Sequence, residues 1–109
     1  MGFVSASQAM DKAIEVAQDH GMSAVGVKNS THFGASANFV LQAIEKDMIS
    51  IVLSNASPAQ PPWGGAKALF GSSPFAAGAP SGLEHPFVLD MATTVTARGK
   101  LRLSAERGT

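Results

Sequence analysis

The sequence predicts an α/β or α+β layer structure, and three patterns carry that expectation. Apolar residues recur at three- and four-residue spacing over two stretches, Ser7 to His20 and Ala35 to Lys46, as on helices with one buried face. A short apolar run follows each of them, as in buried strands. Two further extended stretches and a last helical stretch complete the order helix, strand, helix, strand, two β segments, helix.

In the first helix, Ala9, Met10, Ala13, Ile14, Val16 and Ala17 share one face. Ser5 or Ser7 can cap it, and Gly21 is a natural stop. Ala24 to Val27 or Lys28 reads as a buried strand. The second helix turns Phe39, Val40, Ala43 and Ile44 inward, and the strand Ile49 to Leu53, nearly all apolar, is expected to be buried on both faces. Ser54 to Gly65 is a long loop with three prolines and two glycines. Proline stiffens it, Trp63 is its expected anchor, and loops this long in compact domains are functional or disordered; the ordered form is expected here. Phe75 to Ala79 and Phe87 to Met91 read as extended, joined by a hairpin-like connection from Pro80 to Pro86. The last helix is expected to begin near Thr93 or Thr94. It carries the basic cluster Arg98-Gly99-Lys100-Leu101-Arg102 and runs to Thr109 without a recognisable cap.

The 109 residues suffice for one domain with a modest core. At 45% hydrophobic the composition is globular, and no apolar run approaches the roughly 20 residues of a membrane-spanning helix. The first residues, Met1-Gly2-Phe3-Val4-Ser5, lack the basic start and apolar stretch of a signal peptide. No cysteine is present, which excludes a disulfide framework, a thiolate metal site and a cysteine nucleophile, and fits a reducing cytoplasm. Eight basic residues balance eight acidic ones, so no global field points to nucleic acid, and the basic cluster reads as a solvated helix face. Eleven glycines favour tight turns and close backbone approach, as around a flat or phosphorylated ligand.

Several common signatures are missing. No Gly-x-Gly-x-x-Gly follows either strand, Gly64-Gly65-Ala66-Lys67 lacks the Walker spacing, and no Gly-x-Ser-x-Gly elbow occurs. His20, His32 and His85 are too far apart in sequence for a local metal motif.

Two segments carry chemistry. In Asn29-Ser30-Thr31-His32-Phe33-Gly34 the chain leaves a strand through small polar residues, presents an imidazole and turns into a helix. Histidine moves protons near neutral pH, and such strand-to-helix turns hold side chains rigidly toward open space. A helix cap or a packed residue is the alternative. In Leu89-Asp90-Met91-Ala92-Thr93-Thr94 an acidic residue at a strand end precedes small residues and a helix start. That arrangement suits a ribose hydroxyl or a pyrophosphate, and equally a plain helix cap.

These segments belong to an ordered series. It starts with Gly2 and Ala9-Met10 and passes through Val27 to Gly34, Ser54-Asn55-Ala56-Ser57-Pro58 and Pro62-Trp63-Gly64-Gly65. It continues through Gly71-Ser72-Ser73-Pro74 and Leu89 to Thr94, and ends with Ala97-Arg98-Gly99-Lys100. In this order and spacing the series resembles the malate/L-lactate dehydrogenase family of NAD(P)-dependent oxidoreductases. That family also holds ureidoglycolate, sulfolactate and diketogulonate dehydrogenases and a cyclic-imine reductase.

The resemblance implies a mixed, largely antiparallel sheet with flanking helices, a non-Rossmann cofactor-binding domain. It implies His32 as catalytic acid/base, and Asp90, Met91 and Ala92 as contacts to NAD or NADP. A further family contact falls on Ala56, where relatives often carry serine, which leaves a backbone contact. The usual Gly-Thr-Asn-Pro reads here as Gly71-Ser72-Ser73-Pro74, without the asparagine amide. Ser30 is a candidate to orient the imidazole or the substrate oxygen, with an ordinary turn role as the alternative. No metal is implied. The implied reaction is hydride transfer between nicotinamide and C2 of a small 2-hydroxy or 2-oxo acid. A non-catalytic cofactor-binding fragment and a cyclic-imine reductase are the alternatives. Family members are much longer, so residues 1–109 are expected to be a single domain, the central cofactor-binding portion of a longer enzyme. That enzyme is expected to be a cytoplasmic homodimer without nucleic-acid or membrane partners.

Overall fold

The computed structural model describes residues 1–108, and it orders the chain as helix α1 (Gly2–His20), helix α2 (Ala37–Ile44), strands β1 (Ser50–Leu53), β2 (Phe75–Ala79) and β3 (Phe87–Met91), and helix α3 (Arg98–Arg107). The three strands form one antiparallel sheet in the order β1-β2-β3. The expected sheet with flanking helices is therefore present.

Helix α1 starts at Gly2 and not at Ser7, because neither expected serine caps it. Ser5 lies inside the helix and donates its hydroxyl back to the Met1 carbonyl. The helix ends as expected: Gly21 takes φ 83° and its N–H closes on the Ala17 carbonyl at 2.8 Å. Gln42 of α2 ties the two helices together, donating to the Ser7 carbonyl at 3.2 Å and to the Asp11 carboxylate.

The expected strand at Ala24–Val27 does not form. The segment joins no ladder among the described residues, and Val25 and Val27 are 42% and 49% exposed. Apolar runs report a preference for burial, but a strand also needs a neighbour to satisfy its N–H and C=O groups.

Helix α2 buries Phe39, Val40 and Ala43 and meets the sheet through Val40 and Ile44, whose side chains lie against Gly78 of β2. In β2 the alternate residues Ala76 and Gly78 are buried. Strand β1 corrects the expectation of burial on both faces. It alternates half-buried and exposed, with Ile51 60% and Leu53 68% exposed. Its half-buried Ser50 hydroxyl reaches the Val40 carbonyl at 3.4 Å, so one face meets α2 and the other does not. The connection from β2 to β3 is shaped by Ser81, whose hydroxyl donates to the His85 carbonyl and accepts the Leu83 N–H.

The long loop is ordered, as expected, but Trp63 does not anchor it: the indole is fully exposed. Backbone pairing does that work. Gln60 and Phe70 form an antiparallel bridge through two N–H···O bonds of 2.9 Å, and Gly65 closes a turn on Pro62. Helix α3 begins at Arg98, later than expected, because Thr93-Thr94-Val95-Thr96 is a β-branched run that disfavours helix. It does have a cap: Gly108 adopts φ 70° and closes the last turn.

The residues divide into two compact units. One joins Met1–Val52 with Ala76–Asp90, and the other joins Leu53–Phe75 with the chain from Met91 onward.

Candidate active site

His32 stands in the first unit, exposed, in the connection between α1 and α2. The left-handed residues Asn29 (φ 56°) and Gly34 (φ 84°) flank it and give the loop its two bends. Phe33 stacks edge-on against Phe39, with ring centroids 5.5 Å apart and an interplanar angle of 64°. That contact fastens the residue after His32 to the buried face of α2. On the other side, the Gly2 N–H donates to Thr31 Oγ1 at 3.0 Å. Ser30, the second catalytic candidate, is exposed in the same loop.

Among the described residues the imidazole has one hydrogen-bond partner. The Gly34 N–H donates to His32 Nδ1 at 3.0 Å. A ring nitrogen that accepts must carry a lone pair, so this bond belongs to the neutral imidazole with its proton on Nε2. An imidazolium has no acceptor and breaks it.

Asp90, at the end of β3, lies in the same unit as His32. One carboxylate oxygen, Oδ2, accepts the Ala37 N–H at 2.8 Å. Ala37 is the first residue of α2, whose N-cap Ser36 makes no side-chain cap bond. The carboxylate thus serves an N–H at the positive end of α2, although it lies 53 residues away. Both readings left open for an acidic residue here bear on this geometry, and its side chain caps a helix other than the one that follows it.

Met91, Ala92 and Ala56 fall in the second unit. Gly71 packs on the Ala56 peptide so closely that a Cβ there would lie 2.4 Å from the Ala56 carbonyl oxygen. The Ser54 N–H bonds the Pro74 carbonyl at 3.3 Å, and the Thr93 N–H reaches the Ser72 carbonyl at 3.5 Å. Three segments that the sequence separates, 54–56, 71–74 and 91–93, are therefore neighbours built largely of backbone. The sequence marks Gly34 as the turn into a helix but assigns no role to Gly2 or Thr31. Their partners in space gave no local signal, since Gly2 and Thr31 meet across 29 residues.

A family model described as malate/L-lactate dehydrogenase matches residues 1–109. L-sulfolactate dehydrogenase of Methanothermobacter thermautotrophicus is 44% identical over 107 residues, covering 98% of this chain and 31% of the relative. A ureidoglycolate dehydrogenase (NAD(+)) of Escherichia coli K12 is 39% identical over 92% of this chain and 29% of its own length. A (2R)-3-sulfolactate dehydrogenase (NADP(+)) of Chromohalobacter salexigens is 32% identical over 99% of this chain and 32% of its own. Among solved structures, malate dehydrogenase from Entamoeba histolytica superposes with a TM-score of 0.89 at 33% identity, over 99% of this chain and 30% of that one. Sulfolactate dehydrogenase from Methanocaldococcus jannaschii gives 0.86 at 35% identity, over 99% and 31%. The chain thus spans a little under a third of the length of these relatives. Matched along its whole length in sequence and along nearly all of it in structure, the chain belongs to the malate/L-lactate dehydrogenase family.

Proposed function

We propose that this chain is the central cofactor-binding portion of a longer NAD(P)-dependent oxidoreductase acting on small 2-hydroxy and 2-oxo acids. The observation that carries the reading is His32: an exposed imidazole in a loop braced on both sides, its Nδ1 accepting the Gly34 N–H. When bound, the nicotinamide gives or accepts the hydride at C2 of the acid.

In oxidation of the hydroxy acid, His32 takes the hydroxyl proton. The ring lone pair that receives it is the one facing Gly34, or becomes available after the ring proton moves; either route ends in imidazolium and releases the Gly34 N–H. In reduction the imidazolium returns that proton to the substrate oxygen and the Gly34 bond re-forms. Ser30, beside it in the loop, orients the imidazole or the substrate oxygen.

In this reading the cofactor lies on the second unit, where Ala56, Met91 and Ala92 fall. Gly71 leaves no room for a side chain against Ala56, so the segments 54–56 and 71–74 lie backbone to backbone, and this reading sets the cofactor beside them. Met91 and Ala92, in the same unit, are the further cofactor contacts in this reading, and Asp90 is one in the first unit. Relatives named for NAD(+) and for NADP(+) both occur at 32% identity or above, so the reading includes either cofactor. The reading also places the enzyme in the cytoplasm, in keeping with a chain free of cysteine, and makes it a homodimer without nucleic-acid or membrane partners.

The test is His32→Ala in the complete enzyme, assayed for 2-oxo acid reduction with NADH and NADPH. A loss of about 10²–10⁴ in rate is expected, with cofactor binding retained. A variant that turns over at the parent rate overturns the assignment.

A further inference from the structure

The start of α1 touches the loop that carries His32, and the contact is tighter than any side chain permits. Gly2 is buried, and its N–H donates to Thr31 Oγ1 at 3.0 Å. The first N–H groups of a helix have no partner inside it, so Thr31 satisfies one of them from 29 residues away. A Cβ on Gly2 would lie 2.2 Å from the Thr31 carbonyl oxygen, 2.4 Å from the His32 carbonyl oxygen and 2.8 Å from the His32 carbonyl carbon. All three are backbone atoms, two of them belonging to the residue that bears the imidazole. No rotamer change could relieve such a clash; the loop itself would have to move.

The helix gives no reason for glycine at this position, because alanine is the better helix former. The reason lies across the contact. We propose that Gly2 and Thr31 are positioning residues for His32: the helix end, laid directly on the Thr31–His32 peptide and bonded to the Thr31 hydroxyl, sets where the imidazole stands. Phe33 against Phe39 fixes the following residue from the α2 side. His32 is thus held between two helices through its neighbours, beside the bond that its own Nδ1 accepts from Gly34. The inference rests on His32 being the acid/base group.

In the complete enzyme, Gly2→Ala is expected to lower kcat roughly 10²-fold, since a displacement of about 1 Å at a catalytic group costs that much. Its dissociation constant for NADH should stay within about twofold, because the change is to positioning and not to cofactor contact. Thr31→Val is expected to lower kcat about tenfold by removing the hydroxyl that Gly2 needs, and Thr31→Ser to recover most of the loss. A purely helical role for Gly2 predicts the opposite for Gly2→Ala: a more stable enzyme with unchanged kcat. That result in a folded protein overturns the proposal, as does Thr31→Val at the parent kcat. If Gly2→Ala does not fold, the Thr31 pair decides.

His32→Gln, measured alongside, separates the two layers of the argument. Parent-like kcat in that variant removes the acid/base reading. The positioning claim is then decided by the ring ¹⁵N resonances of His32, which shift in Thr31→Val if the loop is held as proposed and stay in place if it is not.

Discussion

Gly34 gives His32 two things at once, a bend and a hydrogen bond. Its φ of 84° lies in the left-handed region, yet a Cβ there would meet nothing within 4 Å. Substitution therefore probes backbone strain without a steric clash. Gly34→Ala is expected to cost about 1–2 kcal/mol of stability in urea unfolding, and Gly34→Asn less, because asparagine tolerates this region better. Equal stability of Gly34→Ala and the parent would remove the strain argument. Asp90 invites a companion measurement. Asp90→Ala strips the Ala37 N–H of its partner and is expected to cost about 1 kcal/mol, while Asp90→Asn keeps an acceptor and loses only the charge interaction with the helix end. A thermal melt in which Asp90→Ala matches the parent would show that the bond contributes nothing to folding. Much of this scale was legible in the sequence: the Ser-x-His-Phe-Gly segment marks His32 and its bend. What holds the loop and the start of α2 was not legible, because Gly2 reaches Thr31 across 29 residues and Asp90 reaches Ala37 across 53, and neither distance leaves a periodic trace.

At the scale of elements, the packing of α2 on β2 depends on an absent side chain. A Cβ at Gly78 would lie 2.0 Å from Val40 Cγ1 and 2.9 Å from Ile44 Cδ1, and Val40 is fully buried. The helix seats its valine in the space that the glycine vacates. Gly78→Ala is therefore expected to destabilise by about 1–3 kcal/mol through overpacking. Val40→Ala should destabilise too, by opening a cavity. Combined, the two should cost less than their sum, because each relieves the fault of the other. Strict additivity in a double-mutant cycle would show that the two residues do not share the contact. Periodicity read this helix well: Phe39, Val40 and Ala43 are buried as their spacing requires. It failed at Ala24–Val27 and at the outer face of β1 for one shared reason. Apolar spacing records what a segment would bury, and says nothing about whether a neighbour is there to bury it. The late start of α3 has a different cause, the β-branched run Thr93-Thr94-Val95-Thr96, which overrides the small-residue context around it.

At the scale of the molecule, the apolar residues divide unevenly between core and surface. The buried apolar set is Ile14, Phe39, Val40, Ala43 and Ala76, whereas Ile49, Ile51, Leu53, Phe87 and Met91 on or beside β1 and β3 are exposed. So are Val25 and Val27, in the segment that forms no ladder. Exposed apolar side chains grouped on one element mark surfaces that are covered in the working protein, and unpaired extended backbone invites further pairing. The chain also spans about 31% of an L-sulfolactate dehydrogenase that it otherwise matches over 98% of its own length. Together these lead to a prediction about residues 1–109 expressed alone. The isolated chain is expected to bind a hydrophobic dye and to self-associate at micromolar concentration, and Ile51→Lys with Leu53→Lys to reduce both effects without loss of helical signal. Dye binding and sedimentation on the two forms make the comparison. An isolated chain that sediments as a monomer and leaves the dye dark would mean that these side chains are satisfied where they stand, and that the surface of β1 needs no cover.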